Sequence, residues 1–145
     1  MPINTSSVQS PDTVLMVEDN PADALMLRYA LAAATSPLRL HIVGSGRAAL
    51  AYLAKNPCPR GIILDRYLPG ESGLEILERF EADPRLQGIP KIVVSGLLHP
   101  ADELALAAQG VSYFVKPFSH EEWIQLASDI QSVCLRPPKQ AAAVA

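Results

Sequence analysis

The segment GIILD, residues 61–65, decides the fold, because a continuous apolar run ends there directly at an acidic residue. A continuous rather than alternating run is typical of a strand in a parallel sheet that has helices on both faces. Four further runs of β type lie at residues 14–17, 38–43, 91–94 and 111–115. We therefore predict that residues 61–64 form one of five parallel strands, with Asp65 directly after it.

Helical patterns separate these runs. Asn20 is a capping residue followed by Pro21, which suits the first helical position. The third helix is expected to stop before Pro84, Gly110 to follow the fourth, and Ser119 to cap the fifth. The positions expected to be buried are, helix by helix, Ala24, Leu27, Leu31 and Ala34; Ala49, Leu50 and Leu53; Gly73, Ile76, Leu77 and Phe80; Ala101, Leu104, Ala105 and Ala108; and Trp123, Leu126, Ala127, Ile130 and Cys134.

The alternation of strands and helices predicts an α/β fold of the (βα)₅ type, a doubly wound parallel sheet with right-handed crossovers. Residues 13–135 form the predicted domain. Residues 1–12 are predicted to be a flexible arm and residues 136–145 a flexible tail, because both are polar or low in complexity. In such sheets ligands bind beyond the carboxyl ends of the strands.

Composition excludes several classes of protein. A chain of 145 residues with 49% hydrophobic and 19% charged residues is neither disordered nor a coiled coil. A net charge of −3 gives no attraction to nucleic acid or anionic membranes. No apolar run approaches the roughly 20 residues of a membrane span. Cys58 and Cys134 match no zinc or redox spacing. We therefore expect a soluble, cytoplasmic protein.

Functional side chains follow the predicted strands. Glu18 and Asp19 come after the first run, Asp65 after the third and Ser95 after the fourth, and the fifth ends at Lys116. Clustered carboxylates repel one another unless a cation is present. Oxygen-only ligation suits Mg²⁺ better than Zn²⁺, and the added ammonium group makes the site receptive to a phosphoryl group.

Other sites of phosphate chemistry fit less well. A nucleotide-binding protein of this topology needs a loop rich in glycine or hydroxyl groups after its first strand, whereas residues 18–23 are acidic. A phosphatase with an aspartyl nucleophile needs an Asp-x-Asp motif there, and that motif is absent. His41, His99 and His120 are scattered and form no metal-binding pattern.

Four motifs in the observed order resemble the receiver domain of two-component response regulators. They are VEDN at residues 17–20, LDRYLPG at 64–70 with Gly73 after it, VSG at 94–96 and VKPF at 115–118. The resemblance covers about residues 14–134 and implies the strand order 2-1-3-4-5.

The resemblance implies a role for each residue at the strand ends. Asp65 is the implied phosphoacceptor, which takes a phosphoryl group from a sensor histidine kinase. Glu18, Asp19, Asp65 and the backbone carbonyl of Tyr67 are the implied Mg²⁺ ligands. Lys116 is expected to pair with Asp65 at rest and with the phosphoryl group after transfer.

A conformational switch is also implied by the resemblance. Ser95 is expected to donate to the new phosphate, which leaves space for Tyr113 to rotate inward and changes the face of the fourth helix, fifth strand and fifth helix. The peptide bond before Pro117 is expected to be cis, which would aim Lys116 inward.

Enzyme activity is expected to be limited to self-catalysed phosphorylation and slow dephosphorylation. Tyr67 and Leu97 flank the expected route of water to the acyl phosphate, and neither readily orients a water molecule.

A receiver without an output domain acts by contact, either relaying phosphate or binding a downstream protein. Residues 17–23 and 82–86 resemble single-domain regulators of phytochrome-type sensor kinases. That resemblance implies a homodimer through the face of the fourth and fifth elements. The alternative is a receiver-shaped binding module that works without phosphorylation.

Overall fold

The computed structural model describes residues 12–97 and 99–135. The five long strands, numbered in chain order, form one parallel sheet in the order β2-β1-β3-β4-β5. The predicted α/β fold and strand order are confirmed. The predicted arm and tail lie outside the described residues except for Asp12. The elements are β1 Thr13–Val17, α1 Pro21–Ala33, β2 Arg39–Val43, α2 Gly46–Lys55, β3 Gly61–Asp65, α3 Gly73–Glu81, β4 Lys91–Ser95, α4 Pro100–Ala108, β5 Ser112–Val115 and α5 His120–Cys134.

The sheet separates two hydrophobic cores, because side chains alternate between the faces of a strand. In β1, Val14 and Met16 belong to the core under α1 and α5, whereas Leu15 and Val17 belong to the core under α2, α3 and α4. All four of these side chains are buried. This double coverage is the reason for the continuous apolar runs in the sequence.

The buried faces of α3 and α5 match the predicted positions, whereas that of α4 was predicted wrongly. Leu106 is the buried residue of α4, and Leu104 is 74% exposed. The predicted face at Ala101, Ala105 and Ala108 is also exposed. The sequence PADELALAA is apolar around most of the helix, so its periodicity does not identify one buried face.

Helix caps largely follow the prediction. Asn20 Oδ1 accepts a hydrogen bond from Ala22 N at 2.9 Å, and Ser119 forms a capping box at the start of α5. Gly110 has φ of +77° directly after α4, the conformation for which glycine is suited. In α1, Ala30 rather than Ala34 is buried, because Ala34 caps the helix at its exposed end.

Two short elements were not predicted. Tyr67–Leu68 and Glu71–Ser72 form an antiparallel ribbon after β3, and Pro84–Leu86 forms a 3₁₀ turn. Glu71 Oε2 accepts a hydrogen bond from Gly46 N at 3.1 Å, so the ribbon is joined to the start of α2. Side-chain and tertiary contacts of this kind stabilise two-residue strands that have no periodicity of their own.

Candidate functional site

Three carboxylates meet at the carboxyl edge of the sheet. Oxygen atoms of Glu18, Asp19 and Asp65 lie within 4.8 Å of one another. They converge because β1 and β3 are hydrogen-bonded neighbours and Val17 is in register with Leu64. Glu18 is 3% and Asp65 5% exposed, whereas Asp19 is exposed to solvent. The sequence prediction brought these same three acids together.

Lys116 reaches into this cluster from the end of β5. Its Nζ lies 2.9 Å from Glu18 Oε1 and 3.1 Å from Asp65 Oδ2. It also lies 2.9 Å from Asp23 Oδ2, a contact that the motifs did not predict. Burial acts to lower the pKa of Lys116, but the contacts with Asp23 and Glu18 outweigh it and raise the pKa above its ordinary value. Pro21 at the start of α1 was the available signal, since it places Asp23 in the first helical turn beside the sheet edge.

The carboxylates of the cluster outnumber the single ammonium group of Lys116, and this excess of acidic groups favours binding of a further cation. Burial, and then the neighbouring charge of Asp65, raise the pKa of Glu18 to about 7 despite the opposing effect of Lys116. Oε1 of Glu18 is buried without a well-aligned hydrogen bond, although Lys116 Nζ is close to it. A buried carboxylate oxygen with spare coordination capacity, in an all-oxygen cluster, fits a hard divalent ion.

Two hydroxyl groups share one acceptor next to this cluster. Ser95 Oγ donates to the carbonyl of Leu97 at 2.9 Å, and Tyr113 Oη donates to the same carbonyl at 3.1 Å. Ser95 is fully buried, and its hydroxyl has no hydrogen bond to Asp65 among those found in the described residues. The two predicted switch residues are therefore joined through the loop after β4.

The rim of the site contains contacts that sequence reasoning missed. The guanidinium of Arg66 lies 3.0 Å from Asp102 Oδ2, in the first turn of α4. Tyr67 Oη lies 3.0 Å from His99 Nε2, at the cap of the same helix. His99 follows β4 in the chain, but nothing in its sequence neighbourhood indicated Tyr67 as its partner.

Comparison with known protein families matches residues 14–128 to the response regulator receiver domain. The chain belongs to this family. Phosphorylation on an aspartate is typical of its members, which pair with sensor kinases and have autophosphorylation and dephosphorylation activity.

Relatives of this receiver span nearly its whole length. Response regulator Rcp1 of Synechocystis sp. is 30% identical over 132 residues, which cover 86% of this chain and 90% of Rcp1. The probable methanogenesis regulatory protein FilR2 of Methanothrix harundinacea is 30% identical over 133 residues, covering 88% of this chain and 86% of FilR2. Both relatives therefore match this receiver over most of their own length.

Solved structures agree with the fold of the receiver. The Mn²⁺-bound form of Rcp1 aligns with a TM-score of 0.75 at 29% identity, over 87% of this chain and 96% of that chain. The phosphorylated cyanobacterial phytochrome response regulator RcpA aligns with a TM-score of 0.75 at 30% identity, over 86% of this chain and 94% of that chain. Together with the acidic cluster, the Mn²⁺-bound relative suggests a divalent metal site in this receiver.

One backbone expectation for the receiver is wrong. The bond before Pro117 is trans, as are all the peptide bonds in the part of the chain described. Lys116 reaches the acids without a cis bond because Lys116 N donates to Ser95 O at 2.7 Å, which continues the β4–β5 pairing to the sheet edge.

The described residues of the receiver include no helix whose length and apolar character would suit a bilayer crossing.

Proposed function

We propose that this receiver accepts a phosphoryl group on Asp65 from a histidine of a sensor kinase. The observation that carries the proposal is the convergence of Glu18, Asp19 and Asp65 within 4.8 Å, with Lys116 Nζ 3.1 Å from Asp65 Oδ2. Of the two buried acids, Asp65 is the one at the end of the central strand β3. Its Oδ1 accepts a hydrogen bond from Tyr67 N at 3.1 Å, which orients the carboxylate.

The proposed phosphoryl transfer uses these contacts. An oxygen of Asp65 forms a bond to phosphorus while the bond between phosphorus and the kinase histidine nitrogen breaks, and the electron pair stays on the imidazole. Lys116 then binds a phosphoryl oxygen in place of the carboxylate oxygen, because the new group carries the greater negative charge. Asp23 holds the Lys116 ammonium at the pocket throughout.

The metal ion of the proposed reaction is Mg²⁺. Glu18, Asp19, Asp65 and the backbone carbonyl of Tyr67 would hold it, since the cluster offers oxygen atoms alone. When bound, the ion supplies positive charge that neutralises the phosphoryl oxygens.

The response to phosphorylation begins at Ser95. A phosphoryl group on Asp65 is a stronger acceptor than the Leu97 carbonyl, so Ser95 Oγ leaves that carbonyl. Tyr113 Oη donates to the same carbonyl. It loses this hydrogen bond when the loop moves, and the Tyr113 side chain rotates inward. The face formed by α4, β5 and α5 changes as a result and binds a downstream protein or passes on the phosphoryl group.

The same face supports a homodimer. Leu104 on α4 is 74% exposed, and Val115 and Phe118 are exposed large apolar residues at the end of β5 and beyond it. A second copy that covers this face would remove these apolar side chains from water. In light-scattering measurements, Leu104→Glu should shift the protein toward monomer. A wild-type protein that stays monomeric with and without phosphorylation would rule out the dimer.

The proposed kinase is of the phytochrome type, and the proposed compartment is the cytoplasm. The phytochrome response regulator RcpA, at 30% identity over most of both chains, supports this choice of kinase.

Slow loss of the phosphoryl group is also part of the proposal. Tyr67 and Leu97 lie on the loops after β3 and β4, and both side chains are exposed there. Neither an aromatic nor an aliphatic side chain readily orients a water molecule for attack.

The test uses acetyl phosphate with Mg²⁺. Intact-mass measurement should show one added phosphoryl group on the wild type and none on Asp65→Asn. Borohydride reduction of the acyl phosphate should leave homoserine at position 65. Asp129→Asn is the matched control, since Asp129 lies on α5 and pairs with Gln125 instead of the pocket.

Two results would overturn the proposal. Phosphorylation of Asp65→Asn at the wild-type level would place the acceptor elsewhere. An unmodified wild type, tested also with a panel of phosphorylated sensor kinases, would favour the phosphorylation-independent binding module.

A further inference from the structure

The two residues that follow Asp65 both contact the start of α4. Arg66 Nε donates to Asp102 Oδ2 at 3.0 Å, and both side chains are largely buried. Tyr67 Oη lies 3.0 Å from His99 Nε2. The loop after β3 is therefore joined by two side-chain contacts to the helix that follows β4.

Arg66 also holds Tyr67 directly. Its guanidinium carbon lies 4.6 Å from the centre of the Tyr67 ring, a cation–π contact. The Tyr67 side chain is 50% exposed, so packing alone leaves it several rotamers. With Arg66 on the ring face and His99 at the hydroxyl, a single orientation is selected.

This orientation places the side chain across the gap between two loops. Asp65 ends β3 and Ser95 ends the neighbouring strand β4. The contact from Tyr67 to His99 spans the loops that follow these two residues. The Tyr67 side chain therefore bridges the loops that follow Asp65 and Ser95.

We propose that Arg66, Asp102 and His99 are positioning residues that hold Tyr67 over the entrance through which water approaches Asp65, and so lengthen the life of the phosphoryl group. The inference rests on the proposed function, in which Asp65 carries that group. It adds the structural device that makes hydrolysis slow.

The affected step is hydrolysis of the acyl phosphate. A water oxygen forms a bond to phosphorus, and the bond from phosphorus to the Asp65 oxygen breaks with its electron pair remaining on the carboxylate. Inorganic phosphate leaves with both hydrogens of the water. An ordered ring at the entrance lowers the frequency with which water reaches the required in-line position.

The test measures the phosphoryl half-life. Protein is loaded with labelled acetyl phosphate and Mg²⁺, freed of donor, and followed at constant pH. Asp102→Asn and His99→Ala should each lose the label about fivefold faster than wild type, the effect of about 1 kcal/mol on a barrier. The matched control is Glu103→Gln, which removes a neighbouring charge on α4 whose side chain has no hydrogen bond or ion pair among the described residues.

Two rescue variants separate positioning from general loss of structure. Asp102→Glu, which keeps a carboxylate beside Arg66 and leaves Arg66 on the Tyr67 ring, should decay more slowly than Asp102→Asn. His99→Gln, which keeps a hydrogen-bonding group, should decay more slowly than His99→Ala. Thermal unfolding and beryllofluoride binding verify that each variant is folded.

The outcomes are distinct. Wild-type half-lives in folded Asp102→Asn and His99→Ala would overturn the positioning role while leaving Asp65 as acceptor. Faster decay in the Glu103→Gln control, or failure of both rescue variants, would also overturn it. A wild type that takes up no label would overturn the proposed function, and this inference with it.

Discussion

Glu18→Gln should stabilise the metal-free protein, and increasingly so as pH rises. Glu18 is buried beside Asp65, and burial followed by that neighbouring charge raises its pKa to about 7. A group whose pKa is raised by folding favours the protonated form in the folded state. The contribution of Glu18 to the free energy of unfolding is complete below its unfolded-state pKa of 4.5. It is lost as pH rises through its folded-state pKa of about 7.

The size of the effect follows from the two pKa values. Moving the pKa of Glu18 from 4.5 to about 7 lowers the free energy of unfolding by about 3.5 kcal/mol once the carboxyl is ionised in both states. Part of that loss, about 1 kcal/mol, is already present at about pH 5. The wild type should therefore lose at most about 2.5 kcal/mol relative to Glu18→Gln between about pH 5 and about pH 8. Titrating groups outside the cluster are common to both proteins and cancel in this difference.

The assay is urea unfolding of both proteins in EDTA across this pH range. Glu103→Gln, which removes an exposed carboxylate outside the pocket, reports the general effect of one lost charge. Excess Mg²⁺ should restore the wild type at high pH, by about 2.7 kcal/mol at 100 times its dissociation constant, and should restore Glu18→Gln less. A difference between wild type and Glu18→Gln that stays constant with pH would refute the reasoning.

Two further substitutions test the scaffold. A Cβ at Gly73 would overlap the backbone oxygen of Asp65, so Gly73→Ala should cost about 3 kcal/mol in urea unfolding and reduce phosphorylation by acetyl phosphate. Gly96→Ala is its control, because a Cβ there meets no atom within 4 Å, and equal losses in the two variants would contradict the steric argument. Ser119→Ala removes the acceptor for Glu122 N and should cost about 1 kcal/mol, whereas an unchanged urea midpoint would mean that this cap contributes nothing.

The fold can be predicted from local sequence because backbone hydrogen bonding and burial restrict which residues each element can contain. A strand covered on both faces must be apolar throughout, so residues 61–64 indicate a parallel strand with helices on both sides of the sheet. The helix faces of α3 and α5 were predictable for a similar reason, since polar residues mark their solvent sides. In α4 that contrast is missing, and Leu104 was wrongly assigned to the core.

The sequence by itself determined the fold class and the meeting of Glu18, Asp19, Asp65 and Lys116, because parallel strands bring their carboxyl ends to one edge whatever surrounds them. Only the tertiary structure decided which further residues these side chains and their neighbours contact. The contacts of Asp23 with Lys116 and of Tyr67 with His99 join residues far apart in the chain. Such contacts depend on where packed helices place their first turns, and no periodicity of local sequence encodes that placement.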